Sequence, residues 1–492
     1  MYIINNIKLK LLTLLICSFS INFVYAKYNI YLLNNTPLNI SINNQCSSRI
    51  DGEDCTVVDA TSNYLPFIRH NVFSINYDSG MKSGKEYILK SYFKLSADDS
   101  NNNFISVDFH GDTIGSHIKS VDSFINGQLH NLLNSNNSSA KVLPDQVGQY
   151  SFTYDGIVHT IYASAQHDVA SDQGIDNIYL AIDTPYQTFN ADNNANTLAT
   201  ITYNIQAFPN YIGAGLDLNK LDTRMDYLSK MARIKNYDVI VFEEAWDHAT
   251  RDKLMQNLLK DYPYSYDPVP QNDHSVPLYS GLLVLSKYPI VNKKFIDYLD
   301  YQSLVDADAL SNKGAAYLKI NKLGKNYNLI VTHTQAQNDN PAIQVRQEEF
   351  NLIKKYLVND ANLAINHNEP LLLIGDLNTD FYTHDQFDYM KNTLDLNDTW
   401  IKNTLYTNPI YSDDSQSNLM IDPSINEQGL YDYIIPLNGY LLPDSVKYQV
   451  TPMRTLDYAP MYRRSHNVKL YNYGDIEVSD HFMVQAKLYY PE

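Results

Sequence analysis

The chain has 492 residues, of which 44% are hydrophobic and 19% are charged. This balance is typical of a globular protein and excludes a largely disordered or collagen-like chain. The 37 Lys and Arg residues are outnumbered by 55 Asp and Glu residues, which gives a formal net charge of −18. Such an acidic chain argues against binding of duplex nucleic acid, where cationic side chains must neutralise phosphates. At about 150 residues per domain, the length favours two domains.

Residues 1–26 are predicted to be a secretory signal peptide. Two lysines precede an apolar stretch that begins at Leu11, and Ala26 supplies the small residue expected at a cleavage site. We therefore expect a secreted protein. After cleavage Cys46 and Cys55 are the two cysteines left, and in an exported chain such a pair is expected to form one disulfide.

Residues 27–190 are predicted to form a β-rich domain, most simply a β-sandwich. Short runs rich in β-branched and aromatic residues alternate with Asn/Ser/Asp clusters, which is typical of strands joined by loops. The runs are Tyr28–Leu33, Tyr87–Lys94, Ile105–Phe109 and Asn177–Ile182. Residues 152–165 are predicted to be a hairpin, because Asp155-Gly156 is a favoured two-residue turn. We find no catalytic constellation here, and expect a role in binding a ligand on a host-cell surface. The polar stretch 184–196 is predicted to be a linker.

Residues 198–492 are predicted to form an α/β domain. Apolar residues recur at helical spacing in some segments, and short runs of branched apolar residues bounded by polar ones indicate strands in others. Helices are predicted at 221–231, 249–262 and 341–357, and strands at 238–242, 281–286, 328–332, 371–374, 433–435 and 482–488.

The candidate functional residues lie at the ends of these strands. The polar residues that follow or introduce apolar runs are Asn204, Glu243, Glu244, His333, Asp376, Asn378, Asp480 and His481. One carboxylate or histidine at such a place is more often a structural residue than a functional one. As a set, carboxylates without adjacent cations favour a divalent cation bound through oxygen, and the two histidines supply groups for acid–base catalysis.

Several short motifs occur in a fixed order along this domain. They are Ile201-Thr-Tyr-Asn204, Phe242-Glu-Glu244, the segment 280–290, Thr332-His-Thr-Gln-Ala336, Gly375-Asp-Leu-Asn378, Tyr431-Asp-Tyr-Ile-Ile435 and Ser479-Asp-His481. In this order they resemble the endonuclease/exonuclease/phosphatase superfamily, and more closely its bacterial secreted sphingomyelinases C of the neutral type. Ser311-Asn-Lys-Gly314 and the run around His333 point to that branch. The resemblance covers 198–492 and not the N-terminal part.

The resemblance implies a four-layered α/β sandwich of the deoxyribonuclease-like kind, acting as a phosphodiesterase that depends on Mg²⁺ or another divalent cation. Carried over by position, Glu244, Asn204 and Asp480 would hold the metal. Of the two adjacent glutamates, Glu243 would be structural.

The resemblance also implies catalytic roles for five residues. His481 would be the general base that activates the attacking water, and Asp432 would orient its imidazole. Asp376 and Asn378 would position that water and stabilise the charged oxygens that develop on phosphorus. His333 would bind a phosphoryl oxygen.

The substrate does not follow from superfamily membership alone. The acidic chain argues against DNA, and the Trp-x-Gly-Asp and Trp-Cys-Asp-Arg signatures of inositol-polyphosphate phosphatases are absent. A choline phospholipid carries a cationic head group that tyrosines and carboxylates can accept. We therefore expect hydrolysis of sphingomyelin to ceramide and phosphocholine at a membrane surface, with a role as a virulence factor. The alternatives are a phospholipase C acting on other choline phospholipids, a secreted nuclease, and a catalytically silent protein that binds lipid or glycan.

The sequence departs from the bacterial sphingomyelinases at two places. Gln337-Asn338 stand where those proteins carry an acidic pair, with Asp339 one step later. Tyr458, Met461 and Tyr462 stand near the position of a membrane-entering aromatic pair. These three could contact a bilayer interface, although an ordinary surface hairpin explains them equally well.

Overall fold

Strands dominate both parts of the chain. The structure is a computed structural model. It describes residues 27–35, 40–48, 63–64, 69–76, 86–95, 102–112, 115–134, 147–154, 157–167, 176–183, 189–209, 221–269, 272, 274–405, 410–415, 418, 420–421, 427–460 and 474–492. The chain divides into two compact units, the first holding most residues up to Ile182 and the second consisting mainly of Asp183–Glu492.

The first unit is built from strands. They are β1 Lys27–Asn35, β2 Ile40–Ser48, β3 Asn63–Tyr64, β4 Arg69–Asn76, β5 Glu86–Lys94, β6 Asn103–Asp112, β7 Gly115–Ile125, β8 Gln128–Asn134, β9 Val147–Tyr154, β10 Ile157–His167 and β11 Asp176–Asp183. They form a five-stranded sheet in the order β4-β1-β11-β10-β9 and a six-stranded sheet in the order β3-β2-β5-β6-β7-β8. All four strands predicted from the apolar runs are confirmed, and β9 and β10 pair at the place of the predicted hairpin.

Apolar side chains of both sheets in this unit meet. Leu32 and Ile182 from one sheet, with Ile42 and Phe93 from the other, line one small cavity. Four sequence predictions lie outside the described residues: the signal peptide 1–26, the Asp155-Gly156 turn, the Cys46–Cys55 disulfide, and the membrane contact of Tyr458, Met461 and Tyr462. The side chains of Cys46 and Tyr458 belong to this set, although both lie in described strands.

The second unit combines strands with helices. Its strands are β12 Thr197–Asn204, β13 Val239–Glu243, β14 Tyr264–Tyr266, β15 Leu283–Ser286, β16 Ile290–Asp297, β17 Gly314–Lys322, β18 Lys325–His333, β19 Leu371–Asp376, β20 Asp413–Asp414, β21 Gln428–Gly429, β22 Asp432–Pro436, β23 Ser445–Thr451, β24 Arg454–Pro460, β25 Gly474–Glu477 and β26 Met483–Tyr489. Its α-helices are α1 Leu221–Lys230, α2 His248–Leu258, α3 Asn340–Ile353, α4 His384–Leu394 and α5 Thr399–Leu405.

Two sheets organise this unit. One has the order β14-β15-β13-β12-β26-β23 and the other the order β16-β17-β18-β19-β22. The pairs β12–β13 and β18–β19 are parallel, while the other pairings within the two sheets are antiparallel. This is the mixed α/β architecture that the sequence predicted.

The central strand β13 is buried on both faces, which explains why its sequence is apolar throughout. Val239 and Val241 belong to one hydrophobic cluster, which joins the two sheets and includes residues of α3 and α4. The alternate residues Ile240 and Phe242 belong to a second cluster with residues of α1 and α2. Alternation of side chains along a strand therefore places sheet against sheet on one side and helices on the other.

Two helices begin at capping aspartates. Asp247 precedes α2 and accepts a hydrogen bond from the Thr250 backbone N–H at 2.8 Å. Asp339 caps α3 in the same way, with Pro341 in the first turn. Asp339, which stands one step after the position of the family's acidic pair, is therefore occupied in starting a helix.

Two segments differ from expectation. Residues 189–196, predicted to lie in a linker, pack on the second unit: the Phe189 N–H donates to Gln485 Oε1 at 3.1 Å and the Ala191 N–H to the Asn236 carbonyl at 2.6 Å. The helix predicted to end at 357 is α-helical only to Ile353 and continues as a π-helical turn, Lys354–Val358. Among the helices that the structure describes, none is long and apolar enough to cross a membrane.

Candidate active site

Strand register brings the predicted site residues to one end of the two sheets. His333 pairs with Asp376, and Asp376 pairs with Asp432, across three neighbouring strands. Because paired residues project to the same face of a sheet, these three side chains form a row. In the other sheet Asn204 ends β12 and Glu244 follows β13 directly.

The backbone is strained at this end of the sheets. Gln206, Glu244 and Asn378 all have positive φ, at 45°, 55° and 45°. Gly375 has φ +146°, and a Cβ there would lie 1.8 Å from the Thr332 carbonyl oxygen. Residues in this rarely occupied region persist only where the surroundings enforce it, and they concentrate at functional sites.

His481 lies between two carboxylates. Its Nδ1 is 2.8 Å from Asp432 Oδ2, and its Nε2 is 4.0 Å from Asp376 Oδ2. Burial disfavours the charged imidazolium, but the charges of Asp432 and Asp376 outweigh it and raise the pKa of His481 well above its ordinary value. The contact with Asp432 places the ring proton on Nδ1 and leaves Nε2 to face the site.

Asp376 is held by amide groups. Its Oδ2 accepts a hydrogen bond from Asn204 Nδ2 and its Oδ1 accepts one from the Asn378 backbone N–H, both at 3.0 Å. The Asn378 side chain donates in turn to the Thr334 carbonyl at 3.0 Å. Although burial opposes its ionisation, the neighbouring histidines and amides lower the pKa of Asp376. Three predicted site residues thus form one hydrogen-bonded group.

The opposite side of the site carries Glu244 and Asp480. Burial and the negative charge of Asp480 raise the pKa of Glu244, so a nearby positive charge would favour the ionised form of Glu244. Asp480 accepts a hydrogen bond from the Gln206 side chain. Glu243 is fully buried and accepts a hydrogen bond from the Thr202 hydroxyl at 2.6 Å. That Glu243 has a structural role stays a prediction.

His333 contacts a buried lysine. Lys313 Nζ lies 3.1 Å from His333 Nε2, 2.9 Å from the Thr334 carbonyl oxygen and 2.8 Å from Asp308 Oδ1. Burial and the Lys313 charge lower the pKa of His333 to about 3. Lys313 therefore places a cationic side chain directly beside His333.

One group of described residues meets the geometric requirement for a metal site. Ligand atoms of Asp376, Asp432 and His481 all lie within 4.8 Å of one another. Asp432 Oδ1 is buried and has no hydrogen-bond partner within the described part of the chain. This trio consists of predicted catalytic residues, whereas the predicted metal ligands Glu244, Asn204 and Asp480 lie beside it.

Sequence reasoning missed three residues at the site. Lys313 was recognised only as part of a motif, and no signal marked its burial. Gln206 lies two residues after Asn204, so its proximity to a motif was the available clue. Asp413 forms an isolated β-bridge with His481, and burial raises its pKa to about 7; it belongs to no motif.

Comparison with known protein families identifies the family of this chain. The model of the Endonuclease/Exonuclease/phosphatase family matches residues 201–481. The chain belongs to this family.

The relatives of this family member include named enzymes. Sphingomyelinase C 2 of Leptospira interrogans serogroup Icterohaemorrhagiae serovar Lai (strain 56601) is 32% identical over 284 residues, which is 54% of this chain and 42% of the relative. Phospholipase C of Staphylococcus aureus is 34% identical over 210 residues, 40% of this chain and 60% of the relative. The match thus spans less than two thirds of either relative.

A solved structure shows the same fold in the second unit. The crystal structure of SmcL has 26% sequence identity and a TM-score of 0.50, and the alignment covers 60% of this chain and 100% of that chain. The predicted resemblance to bacterial sphingomyelinases is therefore confirmed at the level of sequence relatives and fold.

Proposed function

We propose that this protein is a secreted, Mg²⁺-dependent sphingomyelin phosphodiesterase that releases ceramide and phosphocholine. The observation that carries the proposal is the position of His481, which is hydrogen-bonded to Asp432 and faces Asp376, two members of the buried row. This is the arrangement that activation of a water requires. The family and its relatives named sphingomyelinase C support the reaction class.

Glu244, Asn204 and Asp480 are proposed to hold the cation. The donors fit a hard cation, because they are carboxylate and amide oxygens, and because the raised pKa of Glu244 marks a negative site that needs compensation. A cation at the Asp376–Asp432–His481 trio would instead compete with the 2.8 Å hydrogen bond of His481. When bound, Mg²⁺ supplies charge neutralisation to the phosphodiester and its leaving oxygen.

The side chains of this chain would carry out the remaining steps. Asp432 keeps the proton on His481 Nδ1, so that Nε2 takes a proton from the attacking water. Asp376 and Asn378 hold that water in line with the phosphorus. Lys313 stabilises charge on a phosphoryl oxygen beside His333. General base catalysis of this kind contributes about 10²–10⁴-fold in rate.

A second candidate is hydrolysis of other choline phospholipids. It is favoured by the relative named phospholipase C. The head group and the phosphodiester are shared with sphingomyelin, so the same site would serve both.

The test is a substrate panel with purified protein. Sphingomyelin, phosphatidylcholine, a lysolipid and plasmid DNA are incubated with Mg²⁺ or with EDTA. We expect phosphocholine release from sphingomyelin, abolished by EDTA and by His481→Ala. Cleavage of DNA with sphingomyelin left intact would assign the protein to the nucleases, and no cleavage with retained cell binding would assign it to the silent binding proteins.

We further propose that residues 1–26 direct export and that residues 27–190 form a β-sandwich that binds a host-cell surface ligand. The two sheets whose apolar side chains meet at one cavity support the sandwich. Mass spectrometry of the secreted protein tests both cleavage after residue 26 and the Cys46–Cys55 disulfide. Loss of cell binding on deletion of 27–190 would support the ligand role.

A further inference from the structure

Three exposed apolar side chains lie on adjoining segments of the second unit. Val269 is 67% exposed, Leu310 is 47% exposed and Tyr279 is 41% exposed. We call these three residues the apolar rim. Single exposed apolar residues are ordinary, but a group of them marks an interaction surface.

Backbone and side-chain hydrogen bonds hold the three segments together. The Leu278 N–H donates to the Leu310 carbonyl at 3.1 Å, and the Asn312 N–H donates to the Leu278 carbonyl at 3.0 Å. The Ser280 hydroxyl donates to the Pro268 carbonyl at 3.1 Å. Val269, Tyr279 and Leu310 are each within one residue of these contacts, so the rim is a connected feature.

Tyr279, the aromatic residue of the rim, packs against two residues of α2. The Tyr279 ring meets the His248 ring edge-on at 4.8 Å, and the Arg251 guanidinium lies 5.7 Å from its centroid. Arg251 is buried and pairs with Asp267 at 2.9 Å. An aromatic ring fixed in this way exposes its surface without the entropy cost of ordering it on contact.

The rim continues into the active site. The segment that carries Leu310 leads within three residues to Lys313, which contacts His333. The segment that carries Tyr279 leads to Gly281, where a Cβ would collide with the Trp246 ring. The Trp246 ring is in turn 6.2 Å from the His333 ring. A molecule covering the rim would therefore border the site.

The charge of these segments favours one kind of membrane over another. Neither 264–281 nor 298–312 contains Lys or Arg, and together they contain five aspartates, among which Asp300 and Asp306 are exposed. An anionic membrane would be repelled by this surface. A zwitterionic choline-lipid surface presents its cationic groups outermost, which suits acidic and aromatic side chains.

We propose that the apolar rim rests on the surface of a zwitterionic choline-phospholipid bilayer while a head group enters the adjoining site. This deepens the proposed function and depends on it for the identity of the lipid. The rim is separate from the 458–464 segment that the sequence suggested for membrane contact. Val269 and Leu310 enter the interface with their apolar surface, and Tyr279 lies at the head-group level.

The experiment compares two triple variants of the full chain. The rim variant is Val269→Ser, Tyr279→Ser and Leu310→Ser. The matched control is Leu259→Ser, Val291→Ser and Leu323→Ser, whose wild-type side chains are 55–56% exposed elsewhere. Thermal unfolding confirms that both variants fold. Binding is measured in EDTA, without turnover, by sedimentation with phosphatidylcholine vesicles and with phosphatidylglycerol vesicles.

We expect vesicle binding of the rim variant to fall at least about tenfold, since burial of even one such side chain contributes more than a factor of ten, while the control binds as the wild type does. In Mg²⁺, the ratio of kcat/KM on sphingomyelin vesicles to kcat/KM on p-nitrophenylphosphorylcholine, a soluble diester, should fall by a similar factor.

Equal binding by the rim variant and the wild type overturns the proposal, as does stronger binding of wild type to phosphatidylglycerol. A wild-type dimer that the rim substitutions convert to a monomer would make the rim a contact between copies and also overturn it. If the wild type binds vesicles but hydrolyses neither substrate, the proposed function is refuted and the membrane contact of the rim is not.

Discussion

Replacement of Asp432 by Asn tests the proton-transfer pair most sharply. The carboxylate accepts the His481 Nδ1 proton at 2.8 Å and is fully buried. A charge-assisted hydrogen bond of this kind contributes about 1.5–3 kcal/mol, and the amide can also turn its NH₂ group toward Nδ1 and favour the tautomer that cannot accept a proton at Nε2. Together these effects raise the activation free energy by about 3–4 kcal/mol. At about 1.36 kcal/mol per tenfold, this is a 10²–10³-fold fall in kcat. Because substrate contacts are kept, KM should change little.

The pH profile supplies a second readout of the same variant. The charge of Asp432 raises the pKa of His481, and the general base works only as the neutral imidazole. Removal of that charge lowers the pKa of His481, so the acidic limb of the kcat/KM profile should move to lower pH even as the plateau falls.

The assay is phosphocholine release from sphingomyelin in Mg²⁺ between pH 5 and 9. The matched control is Asp398→Asn, which removes a nearly buried carboxylate paired with Lys391 and Lys402. Asp398 follows Asn397, whose N–H donates to Pro436 at the far end of β22 from Asp432. If Asp432→Asn kept kcat within threefold, or if the acidic limb stayed in place, the assignment of His481 as the base would be refuted.

Three further outcomes are expected. Lys313→Met should lower kcat/KM about 10–100-fold and also lower Tm, because it removes the charge beside His333 and leaves Asp308 without its cation. Steady-state kinetics measures the first effect and calorimetry the second. Full activity of the variant would contradict the role of Lys313. Gly375→Ala should lower the free energy of unfolding by several kcal/mol, because its Cβ would lie 1.8 Å from the Thr332 carbonyl oxygen. Gly439→Ala, at φ +80° in open space, should lower it by only about 1 kcal/mol. Equal shifts in denaturant midpoint for the two variants would contradict the steric argument. Glu244→Gln should weaken Mg²⁺ binding in titration calorimetry at least about tenfold while Glu243→Gln does not, and the reverse order would exchange the roles of the two glutamates.

The strands of the second unit were predictable where both faces are buried. Val239–Phe242 and Leu371–Ile374 are continuous apolar runs because each contacts a hydrophobic layer on both sides. β16 was not predicted, because it is the edge strand of its sheet and its exposed polar residues Asn292 and Lys293 resemble a loop. In the first unit the predicted strands were found, but the polar strand β2 carries too few apolar residues to be recognised.

The site was predictable from its motifs and not from its electrostatics. Polar residues at strand ends identify His333, Asp376 and His481. Register brings His333 and Asp376 together in one sheet, and His481 precedes a strand of the other sheet. The state of each group depends on neighbours distant in sequence. Lys313 lies 20 positions from His333, and nothing in the order of residues shows that the lysine is buried against it.

The location of a bound cation tests the central claim most directly. Crystals of the full chain soaked with Mn²⁺ and phosphocholine would be measured for anomalous scattering. The account predicts a peak at the carboxylates of Glu244 and Asp480, with the phosphoryl group between that peak and His481 Nε2. A peak enclosed by Asp376, Asp432 and His481 with Glu244 left uncoordinated would contradict it, because the proposed base would then be a metal ligand.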